Sequence, residues 1–397
     1  MNLREKILKS TRTHAQQVID IRRHLHAHPE LSFQEYETMR YVAEKLKSFG
    51  ITPTEGVADT GLVALIEGKN PSKKVVALRA DMDALPIEEA NDVPYKSTKP
   101  GVMHACGHDV HTSSLLGTAR VLNELKDSFE GTVKLIFQPG EERVPGGASL
   151  MIKAGALEDP RPNHILGQHV LPHLPAGKVG FREGMYMASA DELYLTIKGK
   201  GGHAAMPEHN IDPVLITSHI IVALQQIVSR HASPKMPSVL SFGKVTANGA
   251  TNVIPNEVLV EGTFRTMNEE WRAKAHHRMR AIAESIAEGM GGSCDFEIRR
   301  GYPFLKNNPE LTRRARQYAS DLLGEDNVVD LDLWLAAEDF AYYTQEADAC
   351  FYRLGTGNEA RGITSSVHTP TFDIDEQALA TGVSLMAWIT TQELMRD

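Results

Sequence analysis

The chain has 397 residues, of which 42% are hydrophobic and 23% are charged, and its formal net charge is −9. This composition excludes collagen, a disordered chain and a small disulfide scaffold, and the acidic balance argues against nucleic acid or an anionic membrane as a partner. No run of 18 apolar residues and no secretory signal is present, and the three cysteines are typical of free thiols in a reducing compartment. We therefore expect a cytoplasmic protein without a transmembrane helix.

The first part of the chain alternates helical and strand patterns. A helical pattern covers residues 3–28, and residues 32–35 (Ser-Phe-Gln-Glu) have the form of a capping box at the start of a second helix that ends at Gly50. Another helix is predicted at 109–126. Short apolar runs predict buried strands at 61–66, 74–78, 132–137 and 164–167. This alternation predicts a layered α/β domain.

The pattern changes near Gly184. Alternating apolar residues at 191–198 predict a half-exposed strand. The elements that follow are predicted as a helix, two strands, a helix and a strand, at 211–230, 237–247, 256–266, 268–289 and 294–300. This β-α-β-β-α-β order is the ferredoxin-like pattern. Because an α/β pattern resumes after residue 301 and ends in a helix from 376, we predict a discontinuous domain at 1–184 and 301–397, interrupted by an inserted α+β domain at 185–300.

Cysteine and histidine cluster in residues 104–111 (His-Ala-Cys-Gly-His-Asp-Val-His). Cysteine sulfur and histidine nitrogen at this spacing can bind one divalent metal, and Gly107 permits a tight bend between Cys106 and His108. The alternative interpretation is a polar loop that enters a helix, with Asp109 near the helix N-terminus.

Carboxylates follow two of the predicted strands. Glu141 and Glu142 follow a Pro-Gly turn, and two adjacent like charges are unfavourable unless a cation neutralises one of them. One glutamate could bind a metal while the other acts as a general base, although such a pair alone is more often a solvated loop. Asp81 and Asp83 follow the strand at 74–80, where open α/β sheets place their sites. Asp83 could orient a metal-bound histidine, or the pair could simply form a turn.

Three further histidines are candidates only in combination with these residues. His169 follows an apolar strand, and His368 lies in a Val-His-Thr-Pro segment. A lone histidine at such a position is more often packed or hydrogen-bonded than a ligand. His203 lies in the glycine-rich stretch 199–205 of the insert. The absence of the Gly-Lys-Ser/Thr spacing excludes a phosphate-binding loop there. Two interpretations stay open, a hairpin loop and a histidine presented from a mobile or partner domain.

Taken together, six motifs resemble the M20 metallopeptidase family, and within it the aminoacylase, hippurate hydrolase and auxin-conjugate hydrolase subgroup (M20D-like amidohydrolases). The motifs follow the family's order over nearly the whole chain and lie at 79–86, 103–111, 138–142, 201–207, 251–255 and 367–370. The resemblance implies a metal-dependent amidohydrolase that cleaves the amide bond of N-acyl-L-amino acids of the hippurate or N-acetyl type.

The resemblance also implies roles for individual residues. The implied metal ligands are Cys106, His108, Glu142, His169 and His368. Glu141 is implied as the general base, and Asp83 as a residue that supports the site. In the insert, His203 and Asn252 are implied to reach the active site of the other subunit of a dimer. Arg265 is implied as a clamp for the substrate carboxylate.

The implied cofactor is two divalent ions per subunit, Zn, Mn, Co or Ni, and the implied assembly is a homodimer or homotetramer through the inserted domain, which would also act as a lid.

Three alternatives stay open. A dipeptidase or aminopeptidase of the same family would act on free N-termini. A cysteine hydrolase with Cys106 as nucleophile would need no metal. A non-catalytic protein on the same fold is disfavoured because every matched position is filled.

Overall fold

The computed structural model describes residues 1–396 and divides them between two units. The first comprises Met1–Tyr186, Lys306–Asp332 and the residues from Asp339 onward. The second comprises Met187–Leu305 and Leu333–Glu338. The segment Leu333–Glu338 thus differs from the predicted division. It groups with the second unit because Trp334 forms a β-bridge with Met187, and Ala188 donates its N–H to the carbonyl of Ala336 at 3.1 Å.

The helices and strands follow one another through both units. As far as residue 187 they are α1 (Leu3–Ala27), α2 (Tyr36–Ser48), β1 (Pro53–Val57), β2 (Gly61–Glu67), β3 (Val75–Asp81), α3 (His108–Glu124), β4 (Thr132–Gln138), α4 (Gly147–Lys153), β5 (His164–Pro175), β6 (Val179–Phe181) and β7 (Gly184–Met187). The next are β8 (Asp191–Lys198), β9 (Gly202–His203), α5 (Pro213–Leu224), β10 (Ser238–Ala247), β11 (Val253–Ile254), β12 (Glu257–Thr266), α6 (Glu269–Gly289) and β13 (Ser293–Arg300). The last are β14 (Leu305–Asn307), α7 (Pro309–Leu323), β15 (Val328–Asp330), β16 (Asp348–Gly357) and α8 (Gln377–Met395).

The first unit contains an eight-stranded mixed sheet in the order β1-β2-β4-β3-β5-β16-β6-β15. Its central strands β4, β3, β5 and β16 are parallel, whereas β1 and β2 extend it in antiparallel fashion. Strands β3 and β4 are buried along their whole length, as their apolar runs predict. Helices α1, α3 and α8 pack on one another, α3 contacts β3, and α7 contacts β16. The predicted α/β class, a mixed sheet flanked by helices, is confirmed.

Parallel pairing brings the carboxyl ends of the central strands to one edge of the sheet. Asp81 at the end of β3 lies opposite Gln138 at the end of β4. Strand β5 is longer than predicted because it pairs with β16 from His164 to Pro175. His169 therefore lies inside a strand rather than after one.

The predicted capping box at 32–35 is wrong. Helix α2 begins at Tyr36, and the side chain of Glu35 makes no capping hydrogen bond, because it is buried against groups elsewhere in the chain. A capping box occurs instead at α1, where the Asn2 side chain accepts the N–H of Glu5 at 2.9 Å and the Glu5 carboxylate accepts the N–H of Asn2 at 3.0 Å.

The second unit contains an antiparallel sheet in the order β10-β12-β8-β13, with helices α5 and α6 between its strands in sequence. This is the ferredoxin-like arrangement that the element order predicts. Leu193, Leu195 and Ile197 of β8 are buried in its core. Helix α5 ends earlier than predicted and is followed by a π-helical turn at Ile227–His231. Within residues 1–396, no helix combines the length and apolarity needed to cross a membrane.

Candidate metal centre

The five predicted metal ligands lie together in the first unit. Sγ of Cys106 lies 3.5 Å from Nε2 of His169 and 3.3 Å from Nε2 of His368. Oε1 of Glu142 lies 3.1 Å from Nε2 of His368 and 4.0 Å from Nε2 of His108. The donor atoms form two compact groups that share the Cys106 sulfur, namely Cys106 with His108 and His169, and Cys106 with Glu142 and His368.

Gly107 allows Cys106 and His108 to share this site. Its φ is +83°, in the left-handed region that favours glycine, and α3 begins at the very next residue. A Cβ at this position would lie 2.6 Å from Cγ2 of Val170. Any larger residue would therefore have to displace the side chain of Val170, the residue next to His169.

Hydrogen bonds fix which ring nitrogen of His108 and of His169 faces the other donor atoms. Nδ1 of His108 lies 2.8 Å from the carbonyl oxygen of Asp83, and Nδ1 of His169 lies 2.9 Å from the carbonyl oxygen of Val170. Because a carbonyl only accepts, each Nδ1 carries the hydrogen, and in a neutral ring Nε2 keeps its lone pair. Burial and the charge of Arg353 lower the pKa of His169, so its ring is neutral. Burial also lowers the pKa of His108, but the carboxylates of Asp81, Asp83 and Glu142 outweigh it and raise the pKa to about 10, so metal binding would displace a proton from this ring.

His111 lies next to these residues but has no free nitrogen. Its Nδ1 lies 2.6 Å from Oδ1 of Asp81, and its Nε2 accepts the N–H of Val170 at 2.9 Å. Asp81 in turn forms a buried ion pair with Arg79 at 2.5 Å. His111 and Asp81 therefore hold neighbouring residues of the site in place rather than offering atoms to a metal.

The chemistry of the donors fits divalent cations. Nε2 of His108 is buried and makes no hydrogen bond within residues 1–396, which is costly for a polar atom that has no other partner. Burial, together with the carboxylates of Glu142 and Glu141, raises the pKa of the Cys106 thiol. A cysteine nucleophile requires the opposite shift, so this environment disfavours the metal-free cysteine hydrolase. Sulfur, imidazole and carboxylate donors are ligands that zinc and similar ions prefer.

The carboxylate of Asp83 organises the residues around the donors. Oδ1 accepts the N–H of Glu141 at 3.0 Å, and Oδ2 accepts the N–H of Glu142 at 3.0 Å and the hydroxyl of Ser32 at 2.6 Å. Burial raises the pKa of Asp83, but the hydrogen bonds from His108 and Ser32 outweigh it and leave the pKa below its usual value. Asp83 is therefore ionised and holds the backbone of both glutamates.

Glu141 is buried beside the donors, and Asp339 positions its carboxylate. The N–H of Asp339 lies 3.3 Å from Oε1 of Glu141. The side chain of Asp339 accepts hydrogen bonds from Arg79 at 2.7 Å, from Gln138 at 2.8 and 2.9 Å, and from the N–H of Ala148 at 2.9 Å. Asp339 was not predicted from the sequence, because it begins a short 3-10 helix (Asp339–Gln345) rather than following a strand.

The remaining predicted site residues belong to the second unit. His203 and Asn252 are exposed neighbours, since Ala204 donates its N–H to the carbonyl of Asn252 at 3.0 Å. Nδ1 of His203 accepts the N–H of Ala205 at 3.1 Å, so a neutral ring carries its hydrogen on Nε2. Arg265 is half-buried, and its Nη1 donates to the hydroxyl of Thr263 and to main-chain carbonyls of its own unit.

The chain is similar in sequence and in fold to known proteins. A model of the peptidase family M20/M25/M40 matches residues 77–392. The chain is 44% identical over 293 residues to an N-acyl-L-amino acid amidohydrolase of Geobacillus stearothermophilus, covering 74% of this chain and 78% of the relative. It is 40% identical over 385 residues to thermostable carboxypeptidase 2 of Saccharolobus solfataricus, covering 96% of each. A crystal structure of a dinuclear metal-binding M20 peptidase from Bacillus subtilis superposes with a TM-score of 0.83 at 36% identity, covering 96% of this chain and 99% of the other.

Proposed function

The chain belongs to the peptidase family M20/M25/M40 and is a hydrolase, and from this premise we propose that it cleaves the amide bond of N-acyl-L-amino acids of the hippurate or N-acetyl type. The observation that carries the proposal is the convergence of five metal-donor side chains beside a buried glutamate, Glu141. The relative named N-acyl-L-amino acid amidohydrolase supports this choice of substrate class.

We propose two divalent ions per subunit, which the donor side chains clustered around Cys106 would hold. Such ions supply Lewis-acid polarisation of a carbonyl and lower the pKa of water to about 7. Cys106, His108, Glu142, His169 and His368 are the proposed ligands. Because the set mixes nitrogen, oxygen and sulfur, it accepts Zn, Mn, Co or Ni. The solved relative described as dinuclear supports the number of ions.

Glu141 is the proposed general base. Its carboxylate accepts a proton from the attacking water and returns that proton to the nitrogen of the leaving amino acid as the amide C–N bond breaks. The Asp339 N–H on Oε1 holds one oxygen of the carboxylate in place. Asp83 supports the arrangement by binding the N–H of Glu141 and the ring of His108.

The second unit is the proposed lid and dimerisation domain. The exposed Nε2–H of His203 is suited to stabilise the oxyanion in the active site of the other subunit, and Asn252 is proposed to reach that site beside it. Arg265 is the proposed clamp for the substrate carboxylate. Two surfaces support a homodimer. Helix α5 exposes Val214, Leu215 and Val222, and β10 is an edge strand with unpaired main-chain groups.

A second candidate activity is cleavage of peptides, which the carboxypeptidase relative favours. A family dipeptidase or aminopeptidase would require a free amine on its substrate, whereas an acylase requires that amine to be blocked. The metal-reconstituted enzyme should be assayed on matched pairs, such as N-acetyl-methionine against glycyl-methionine and benzoyl-glycine against its C-terminal amide. Preference for the blocked amine and loss of activity with the amide support the proposal. Preference for the free dipeptide overturns it in favour of a peptidase.

A further inference from the structure

We infer that Glu35 is a positioning residue, which fixes the backbone of the turn at 140–142 and through it the carboxylate of Glu141. The inference rests on the role proposed for Glu141. It assigns a task to a buried acidic group that is not among the proposed metal ligands and that forms no helix cap.

The contact is direct and short. Oε1 of Glu35 accepts the N–H of Gly140 at 2.7 Å, and Oε2 accepts the hydroxyl of Thr60 at 2.7 Å. The side chain of Glu35 is fully buried, so solvent does not compete for either bond. Gly140 immediately precedes Glu141, and its φ of +56° sets the direction in which the chain turns after β4. Both oxygens of Glu35 thus accept hydrogen bonds, one from Gly140 in the turn and one from Thr60, the residue before β2.

The neighbouring Phe33 closes the turn from the same side. A Cβ on Gly140 would lie 2.2 Å from Cε1 of the Phe33 ring, so the ring occupies the space that glycine leaves free. Phe33 itself has a φ of +65°, a backbone conformation that is uncommon for an aromatic residue. Such a conformation persists only where the surroundings enforce it and is concentrated at functional sites.

Ser32 secures the other end of the same arrangement. Its hydroxyl donates to Oδ2 of Asp83 at 2.6 Å, and the same oxygen accepts the N–H of Glu142. Residues 32–35 therefore hold the turn at two points. Glu35 binds the N–H of Gly140 directly, and Ser32 binds Asp83, which in turn binds the N–H of Glu142. A displacement of about 1 Å at a catalytic group costs on the order of 10²-fold in rate, so small shifts of this turn should appear in kcat.

The test compares a substitution that removes the acceptor of the Gly140 N–H with one that keeps an acceptor there. Glu35→Ala removes it, whereas Glu35→Gln keeps a carbonyl oxygen of the same reach. In the metal-loaded enzyme we expect Glu35→Ala to lower kcat by about 10-fold or more with KM within about 3-fold, and Glu35→Gln to stay within about 3-fold of wild type in both. The matched control is Glu37→Ala, a solvent-exposed glutamate two residues away.

A second readout needs no substrate. Hydrogen–deuterium exchange of the peptide covering 139–147 should be faster in Glu35→Ala and unchanged in Glu35→Gln, with metal content equal in both. Because this measurement does not depend on the substrate class, it separates failure of this inference from failure of the proposed function. If Glu35→Ala does not fold, Glu35→Asp, which is one methylene shorter, replaces it with the same expectation. Wild-type kcat or wild-type exchange in the shortened variant overturns the inference, as does a Glu35→Gln enzyme as impaired as Glu35→Ala.

Discussion

Nδ1 of His108 lies 2.8 Å from the carbonyl oxygen of Asp83 and 3.1 Å from its Oδ1. One residue thus offers the imidazole two acceptors from its own main chain and side chain. The same carboxylate also accepts the N–H groups of two consecutive glutamates. The orientation of a proposed ligand and that of the proposed base are therefore set by a single buried group.

Replacing Asp83 by alanine should lower metal affinity and activity together, by about 10- to 100-fold each, because His108 loses an orienting acceptor and the N–H groups of Glu141 and Glu142 lose their side-chain acceptors. Metal titration of the apoprotein and steady-state kinetics measure the two effects. The matched control is Asp127→Ala, an exposed carboxylate on a short surface helix. Unchanged metal affinity in Asp83→Ala would contradict the role given to this residue.

Replacing Glu141 by alanine should separate catalysis from metal binding. We expect kcat to fall by about 10²- to 10⁴-fold, the usual contribution of a general base, while metal content stays near that of wild type. Elemental analysis of the purified protein measures the metal. An equal loss of metal and activity would instead make Glu141 a ligand, since it lies close to His108 and Glu142.

Removing the metal should abolish activity reversibly. Because the environment of Cys106 raises the pKa of its thiol, the metal-free protein has no thiolate ready to attack a substrate. Dialysis against a chelator should therefore eliminate turnover, and Zn, Mn, Co or Ni added one at a time should restore it. Full activity after complete removal of metal would contradict this prediction and favour a cysteine hydrolase with Cys106 as nucleophile.

Replacing His203 by alanine should lower kcat by about 10²- to 10³-fold without unfolding the protein, because the proposed oxyanion donor is lost and its position is exposed. The matched control is His209→Ala, an exposed histidine in the same unit. Circular dichroism and thermal unfolding check that both variants fold.

The proposed cross-subunit role of His203 has a sharper test. When inactive His203→Ala and Glu141→Ala proteins are mixed and refolded together, each mixed dimer contains one site with both groups intact. Random assortment of a two-fold dimer then restores about a quarter of wild-type activity. No recovery in mixed dimers whose formation has been verified by mass would place His203 and Glu141 in the same subunit's site.

A buried ion pair gives stability that depends on pH. Arg314 of α7 binds Glu393 of α8 through two hydrogen bonds, at 2.7 and 2.8 Å, and His164 of β5 lies 3.0 Å from the same carboxylate. Burial alone would raise the pKa of Glu393, but Arg314 and His164 outweigh it and lower the pKa from 4.5 to about 2. The stabilisation is therefore complete above about pH 4.5 and is lost as the pH falls towards 2.

Glu393→Gln should accordingly lower the free energy of unfolding at pH 7 by about 3 kcal/mol. The difference from wild type should shrink between pH 4.5 and pH 3. Urea unfolding of both proteins without metal, at a series of pH values, measures it. A difference that is constant with pH would assign the effect to packing rather than to charge.

The sheet and the inserted domain could be predicted from sequence because their signals are local. The apolar runs of β3 and β4 and the alternation of Leu193, Leu195 and Ile197 each lie within one strand. The strand-end rule also located Asp83, because open α/β sheets place their sites at the carboxyl ends of their strands. The five predicted ligands lie together in the structure, and their binding of metal stays a prediction.

Ser32, Glu35 and Asp339 could not be predicted in this way to position residues of the site, because their hydrogen-bond partners are distant in sequence. The Ser-x-x-Glu pattern at 32–35 favoured a helix cap, yet Ser32 binds a residue 51 positions away and Glu35 one that is 105 positions away. Asp339 contacts Glu141 across 198 positions. Side chains of these types satisfy local and distant partners equally well, so only the tertiary fold decides between them.

Strand β16 lies between β5 and β6, although it is made after both and after the whole ferredoxin-like insert. During synthesis, a nascent chain that ends before residue 348 therefore carries β5 with one edge unpaired, in the middle of what will become the sheet. Such an edge is a template for pairing with other chains. Truncated chains that end before residue 348 should accordingly aggregate. Strand β5, which carries His169, gains its second neighbouring strand only when nearly nine-tenths of the protein has been translated.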